Sequence, residues 1–177
     1  NSVSIGKNQY KLCVNSPKHN RGVIIAIKET TDIRNITEIQ RDGEGNMLAV
    51  KIMCGNLELI LINVYGPNNS DETFYTNLET IVDRFRDKNI IIGGDFNCIT
   101  NQANPDKNID MHNCKLVPNK TNGQRLNRIM EQYDLIDLFR SQNPSKKAYT
   151  YCHFSDKRPA KTRLDFFLIS RKNLNNR

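Results

Sequence analysis

The most constraining feature of this sequence is a stretch, Leu59 to Val64, that is apolar at every position except Asn63. A strand with one wet face alternates apolar and polar residues, so this stretch predicts a central strand covered on both faces. A second apolar run, Ile90 to Ile92, is too short for a helix and is stopped by Gly93-Gly94, which indicates another buried strand. The chain is therefore expected to build a sheet with further layers packed on its faces.

Other short runs rich in β-branched residues predict additional strands around these two. Turn residues at 20–22, 42–46 and 55–56 separate the early runs, so consecutive strands are expected to pair antiparallel as a meander. The predicted strands cover Tyr10 to Val14, Val23 to Ile27, Leu48 to Met53, Leu57 to Tyr65, Ala148 to Cys152 and Leu164 to Ile169.

Two helices are predicted from apolar residues that recur with a period of about 3.6. Ser70 or Asp71 is the expected N-cap of the first helix, and Thr121 and Gln124 predict a capping box for the second. The predicted buried stripes are Phe74, Leu78, Ile81, Val82 and Phe85 in the first helix, and Leu126, Ile129, Met130 and Tyr133 in the second. Many strands with two inserted helices predict an α/β fold of layered sheets with helices outside.

Composition limits the class of protein further. The 177 residues carry 26 Lys and Arg against 19 Asp and Glu, a net charge of +7. A chain of this length buries one core without disulfides or a structural metal, so we expect a single domain over residues 1–177. The five irregularly spaced cysteines favour free thiols in an intracellular protein, nuclear or cytoplasmic. No apolar run is long enough to span a membrane, so a transmembrane protein is excluded. Because the N-terminus is neither an initiator Met nor a signal peptide, we interpret the chain as a fragment.

Polar residues directly follow the second buried run. Asp95 and Asn97 come after Gly93-Gly94, and ligand sites collect at the carboxyl ends of strands in open sheets. The two glycines would let a substrate approach the backbone closely. An Asx-turn that merely tolerates unusual backbone angles explains the same residues. A P-loop is excluded because Gly-Lys-Ser/Thr does not follow.

Asp165 lies directly before the apolar run Phe166 to Ile169, where an unpaired buried carboxylate would be costly. It is expected either to meet a cation, a protonated imidazole or several donors, or to form a structural ion pair with Arg163 or another basic residue. Tyr65 and Thr150 also stand at strand ends. If these ends converge, a face bearing hydroxyl, amide and carboxylate groups suits a phosphate ester and a divalent cation.

The segment from Arg140 to Arg163 is strongly basic, with seven basic residues and one acid, and aromatic residues are interleaved with them. This composition suits backbone phosphates and unstacked bases, although a solvated basic loop is the alternative interpretation. Together with the net charge and the adjacent candidate site, it favours a nucleic-acid partner.

Four short strings occur in this order: Asn63-Val64-Tyr65-Gly66-Pro67-Asn68, Gly93-Gly94-Asp95-Phe96-Asn97, Tyr149-Thr150-Tyr151 and Arg163-Leu164-Asp165-Phe166-Phe167-Leu168-Ile169-Ser170. In order and spacing they resemble the endonuclease/exonuclease/phosphatase superfamily, and most of all the endonuclease domain of LINE-type (non-LTR) retrotransposons. The resemblance implies a two-layered β-sandwich flanked by helices and Mg²⁺-dependent cleavage of phosphodiesters. In that family a nick in target DNA leaves a 3′-hydroxyl that primes reverse transcription, so a downstream reverse transcriptase domain is expected in the parent protein. We expect the chain itself to be a monomer.

The resemblance also implies roles for individual residues. Asp95 matches the carboxylate that orients and deprotonates the attacking water, and Asn97 matches the amide that holds the water or the phosphate. Tyr65 matches the phenol that binds the phosphate, and Asp165 matches the acid that orients a catalytic histidine. Asn68 and Thr150 match the flanking contacts to the phosphate, and the basic segment adds Lys157, Arg158 and Arg163 as expected substrate-binding residues.

Departures from the family pattern predict that this chain is inactive by itself. The family's first strand with its Asn, its Gln-Glu-Thr-His-like string with the metal-binding Glu, and its final Ser-Asp-His string are missing from this sequence. His19, His112 and His153 match none of these contexts, so the metal ligands stay unassigned. We therefore expect a domain truncated at both ends, whose intact parent is the nuclease. Two alternatives stay open: a catalytically dead nucleic-acid-binding remnant, and a superfamily phosphatase or exonuclease acting on another phosphate ester.

Overall fold

The computed structural model describes residues 2–18, 21–100, 109–114, 117–155 and 158–174. The strands are β1 (Ser2–Ile5), β2 (Asn8–Lys18), β3 (Arg21–Lys28), β4 (Ile33–Arg41), β5 (Met47–Cys54), β6 (Leu57–Tyr65), β7 (Asn89–Asp95), β8 (Met111–His112), β9 (Leu135–Asp137), β10 (Tyr151–Ser155), β11 (Arg158–Thr162) and β12 (Asp165–Ser170). The helices are α1 (Glu72–Arg84), α2 (Lys120–Gln132) and α3 (Leu138–Gln142), and a 3₁₀ turn covers Arg171–Leu174.

The strands form three sheets. The largest has six strands in the order β4-β5-β6-β7-β12-β9, and the two smaller sheets run β1-β2-β3 and β10-β11-β8. Strands β6 and β7 are parallel and are joined through α1, whereas β12 runs antiparallel to β7. The carboxyl ends of β6 and β7 therefore meet the amino end of β12 at one edge of the large sheet.

The large sheet is covered on both faces, as the sequence predicts. Ile60 and Ile62 of β6 belong to the cluster that includes the buried stripes of α1 and α2. Leu59 and Leu61, on the opposite face of the same strand, pack against the cluster shared with the β1-β2-β3 sheet. The predicted two-layered β-sandwich with helices outside is thus confirmed.

The predicted meander needs one correction. Strands β3 and β5 do not pair, because β3 belongs to the small sheet and β5 to the large one. The unpredicted strand β4 stands between them in the chain and pairs antiparallel with β5 across the turn at 42–46. The structure therefore has two antiparallel meanders, β1-β2-β3 and β4-β5-β6, in place of the single one predicted.

The two predicted helices are present, but only one begins as expected. The Asp71 carboxylate caps α1 by accepting a hydrogen bond from the Phe74 backbone N–H at 3.0 Å. The predicted capping box of α2 was wrong, since its N-cap is Asn119 in the left-handed conformation, with no side-chain cap. The Asn119 amide instead donates to the Pro67 and Asn68 carbonyl oxygens at 2.9 and 3.1 Å. The start of α2 is thereby attached to the loop that follows β6.

All five cysteines are free thiols, which confirms that the chain has no disulfide framework. Of the helices that the structure describes, none is long and apolar enough to cross a membrane.

Candidate active site

Tyr65, Asp95 and Asp165 lie side by side on β6, β7 and β12. Tyr65 is the parallel register partner of Asp95, and Asp95 is the antiparallel register partner of Asp165. Register partners on neighbouring strands project from the same face of a sheet, with strands about 4.8 Å apart. Tyr65 packs toward the β1-β2-β3 sheet, so this row of three, hereafter the rim, lies on the face of the large sheet that carries the small sheet. The convergence expected from the sequence is confirmed.

A tight turn after β7 fixes the Asp95 carboxylate. Its Oδ1 accepts a hydrogen bond from the Asn97 backbone N–H at 2.8 Å, and Asn97 has a left-handed φ of 49°. The Asn97 side-chain amide donates to the Gly66 carbonyl at 2.8 Å, while the Gly66 N–H donates to the Asp95 carbonyl at 2.6 Å. The Asx-turn considered as an alternative is therefore present, and it places both polar side chains at the rim.

Gly94 is required where β7 passes β6. Its φ is +142°, and a Cβ at this position would lie 2.0 Å from the Val64 carbonyl oxygen. Any larger residue would push these two strands apart next to Asp95.

The pKa of the Asp95 carboxyl is raised above its ordinary value of 3.8. Partial burial is the main cause, and the negative charge of Asp165 adds to it, while the Asn97 N–H opposes it. A carboxylate with a raised pKa is a better proton acceptor than one exposed to water. The environment of Asp95 therefore suits a general base.

Asp165 is exposed, so the prediction of a buried carboxylate was wrong. As the first residue of β12 it stands at the end of the strand, before the buried positions begin. The Thr150 hydroxyl accepts hydrogen bonds from the backbone N–H groups of Leu164 and Asp165 at 3.0 and 3.1 Å. Thr150 therefore helps to fix the position of Asp165, and its own O–H can still act as a donor.

Arg163 is buried, with 3% of its surface exposed. Its Nε donates to Asp110 Oδ1 at 2.7 Å, and its Nη2 donates to Asp137 Oδ2 at 2.5 Å. Burial alone would lower the pKa of Arg163, but hydrogen bonds to Asp110 and Asp137 raise it overall. The alternative of an ion pair between Arg163 and Asp165 is therefore wrong. Arg163 is also too buried for the expected substrate contact, and its role is structural.

Arg140 belongs to the same buried network, because its Nη2 also pairs with Asp110. Sequence reasoning missed Asp110 and Asp137 altogether. Their partners lie up to 53 residues away, and no local pattern marks an acid of this kind.

The segment from Arg140 to Arg163 consequently presents fewer basic side chains to solvent than predicted, because Arg140 and Arg163 are buried. Lys146 and Lys147 are exposed and Lys161 is half-buried. Arg158 begins β11 opposite Ser155, and Lys157 lies outside the described residues. The β10–β11 hairpin displays aromatic side chains, with Phe154 80% and Tyr151 50% exposed.

Two further features surround the rim. Asn68 is exposed in the loop after β6, which α2 holds through the Asn119 amide. A cleft of about 540 Å³ opens beside Asp165, and its apolar lining is Leu138, Phe139, Ala148, Phe166 and Phe167.

Comparisons with known sequences give one curated relative. No family model matches the sequence. The chain is 29% identical over 131 residues to an uncharacterized 149 kDa protein of transposon TX1 from Xenopus laevis. The match covers 71% of this chain and 9% of that protein.

Solved structures show the fold clearly. The endonuclease domain of TRAS1, a telomere-specific non-LTR retrotransposon, aligns over 94% of this chain and 69% of its own, with a TM-score of 0.64 and 15% identity. The AP endonuclease LMAP from Leishmania major aligns over 92% and 62%, with a TM-score of 0.69 and 16% identity. An AP endonuclease from Archaeoglobus fulgidus aligns over 92% of this chain and 67% of its own, with a TM-score of 0.58 and 16% identity. The chain thus has the endonuclease/exonuclease/phosphatase fold, as its sequence strings predict.

Proposed function

We propose that this domain belongs to a nuclease that hydrolyses DNA phosphodiesters with the help of Mg²⁺. The observation that carries the proposal is the register of Tyr65, Asp95 and Asp165 on three adjacent strands. Structural neighbours that are nucleases and a relative from a transposon support it. In the intact protein, a nick in target DNA would leave a 3′-hydroxyl for a reverse transcriptase to extend.

Each rim residue has a chemical task in this proposal. Asp95 accepts the proton of the attacking water, for which its raised pKa is suited. Asn97 holds the water or the phosphate through its amide, which the bond to Gly66 orients. The Tyr65 phenol donates a hydrogen bond to a phosphate oxygen. Asp165 stabilises an imidazolium that the intact protein would supply.

The rim is also chemically suited to Mg²⁺. Within the described ranges, no group of three His, Cys, Asp or Glu residues is arranged to hold a metal ion. Mg²⁺, however, is commonly bound by one or two carboxylates together with phosphate oxygens and water. Asp95 and Asp165 are the two carboxylates on this face, and a cation held near them would offset the repulsion between them. When bound, Mg²⁺ neutralises charge that develops on the phosphate.

Nicking of supercoiled plasmid tests the proposal. We expect no Mg²⁺-dependent nicking by the 177 residues alone, because the family's metal-binding Glu and Asp-His strings are not among them. We expect nicking from a version that also carries the residues flanking this chain in its reading frame. Nicking by the short chain would overturn the expectation that it is inactive. A longer version that is inactive with every divalent cation would overturn the proposal that the protein is a nuclease.

A second candidate function is nucleic-acid binding without catalysis, favoured by the exposed rings of Phe154 and Tyr151 beside exposed lysines. Exposed aromatic rings stack on unpaired bases, and nearby cations bind backbone phosphates. Charge reversal of Lys157, Arg158 and Lys161 tests this function. Loss of salt-dependent DNA binding would support it, whereas tight binding that ignores salt would contradict it.

A further inference from the structure

Arg21 stands over the phenol ring of the rim. It is the first residue of β3 and is exposed, and its guanidinium carbon lies 5.9 Å from the centroid of the Tyr65 ring. Tyr65 is in turn one strand spacing, about 4.8 Å, from Asp95. We infer that Arg21 binds a DNA backbone phosphate next to the scissile one, on the side of the rim formed by the small sheet. The inference rests on the proposed function.

The backbone of Arg21 is held firmly beside the rim. The Ser16 hydroxyl on β2 donates to the Arg21 carbonyl oxygen at 3.0 Å. The turn after β4 approaches the same atom, since a Cβ on Gly45 would lie 3.2 Å from it. The backbone of Arg21 is therefore positioned by two elements of the fold.

The turn at residues 42–47 lies against the backbones of both Arg21 and Tyr65. Buried Asn15 on β2 donates to the Asp42 carbonyl and the Met47 carbonyl at 3.0 and 2.8 Å, which fastens the 42–47 turn. The Asn46 carbonyl in that turn accepts the Tyr65 N–H at 2.7 Å. A phosphate contact made by Arg21 would therefore be fixed relative to the phenol.

The contact with the ring leaves the guanidinium suited to phosphate. A guanidinium that contacts an aromatic ring through its carbon still has N–H groups for bidentate bonds to phosphate oxygens. Arg140 and Arg163 give their donors to Asp110 and Asp137 instead. Among the described residues, no carboxylate lies within 4.0 Å of the Arg21 guanidinium. Arg21 is thus a surface cation at the rim that keeps its charge for a ligand.

Fluorescence anisotropy with a labelled DNA duplex tests the inference on the 177-residue chain. We expect Arg21→Ala to weaken binding about five- to tenfold at low salt and to lower the slope of log K against log salt by about 0.9. Lys28→Ala is the matched control, because Lys28 is exposed at the opposite end of the same strand. It should change affinity less than about twofold. Arg21→Lys should keep the salt slope and lose part of the affinity, since lysine lacks the bidentate fork.

The outcomes separate the two proposals. If the wild type binds DNA in a salt-dependent way but Arg21→Ala and Lys28→Ala weaken binding equally, the proposed role of Arg21 is overturned. A wild-type chain that shows no salt-dependent binding would overturn both the inference and the proposed DNA substrate. Unchanged thermal unfolding of the Arg21→Ala chain confirms that the variant is folded.

Discussion

Asp95 and Asp165 face each other as register partners on β7 and β12. Two carboxylates in this arrangement repel each other, and the partial burial of Asp95 adds to the cost of its charge. Such a pair contributes nothing to folding that an amide pair would not contribute better. It is the arrangement expected of a site where negative charge is kept for a cation.

This cost predicts that Asp95→Asn stabilises the free chain. Because the folded-state pKa of Asp95 is raised above 3.8, the wild type loses stability as pH rises from about 4 through that raised pKa. The asparagine keeps the oxygen that accepts the Asn97 N–H and removes the charge. Thermal unfolding without Mg²⁺ should show a higher Tm for the variant at pH 7 and a shrinking difference toward pH 4. Exposed Asp87→Asn is the control, and a lower Tm for Asp95→Asn at pH 7 would contradict the prediction.

The buried network of Arg163, Arg140 and Asp110 predicts a large loss for Asp110→Asn. Removing one member of a buried ion pair leaves uncompensated charge and typically costs about 3–5 kcal/mol. The matched control is Asp134→Asn, since the ion pair of Asp134 with Arg171 is exposed and should be worth at most about 1 kcal/mol. Urea unfolding of both variants measures the difference. Similar free energies of unfolding for the two would show that the network is not structural.

The Tyr75 hydroxyl and the Cys98 thiol lie 3.6 Å apart in the core and predict a particular alkaline sensitivity. Burial raises the pKa of Cys98 from 9.0 to about 12 and also raises the pKa of Tyr75. The unfolded chain releases these protons first, so stability falls as pH rises above about 9. Tyr75→Phe should lessen the fall and change stability at pH 7 by less than about 1 kcal/mol. Exposed Tyr151→Phe should leave the alkaline profile unchanged, and an identical effect of the two variants would refute the buried pair.

One added methyl group should have opposite effects on stability at Gly94 and at Gly43. Gly94→Ala would place its Cβ 2.0 Å from the Val64 carbonyl at a φ of +142°, so we expect a loss of at least about 2 kcal/mol. Gly43→Ala has open space around its Cβ and should be neutral or slightly stabilising. Denaturant titration compares them. A neutral Gly94→Ala would mean that β6 and β7 are not packed as closely at the rim as described.

The parts predicted from sequence are those that local pattern determines. The apolar composition of β6 and the apolar run Ile90 to Ile92 define two buried strands, although β7 continues through the two glycines to Asp95 instead of stopping at them. Asp71 has the right spacing to cap α1. Tyr65 and Asp95 are the last residues of these two strands and Asp165 is the first residue of β12, which is why their meeting could be expected.

The missed parts depend on irregular or distant partners. Strand β4 escapes because its pairing with β5 shifts register twice, which breaks the alternation that marks a strand. The partners of Arg163 are 53 and 26 residues away, so its burial has no local sign. Asp165 was read as buried from its apolar neighbours, although the first residue of a strand can stay in water.

The rate of plasmid nicking by the flank-extended protein tests the central claim most directly. We predict that Asp95→Asn and Asp165→Asn each lower the Mg²⁺-dependent rate at least about a hundredfold, and that the double variant is scarcely slower than the worse single one, because residues that act as a unit are not additive. Lys28→Ala should match the wild type. A rate within about twofold of wild type for Asp95→Asn would contradict the assignment of the rim as the catalytic site.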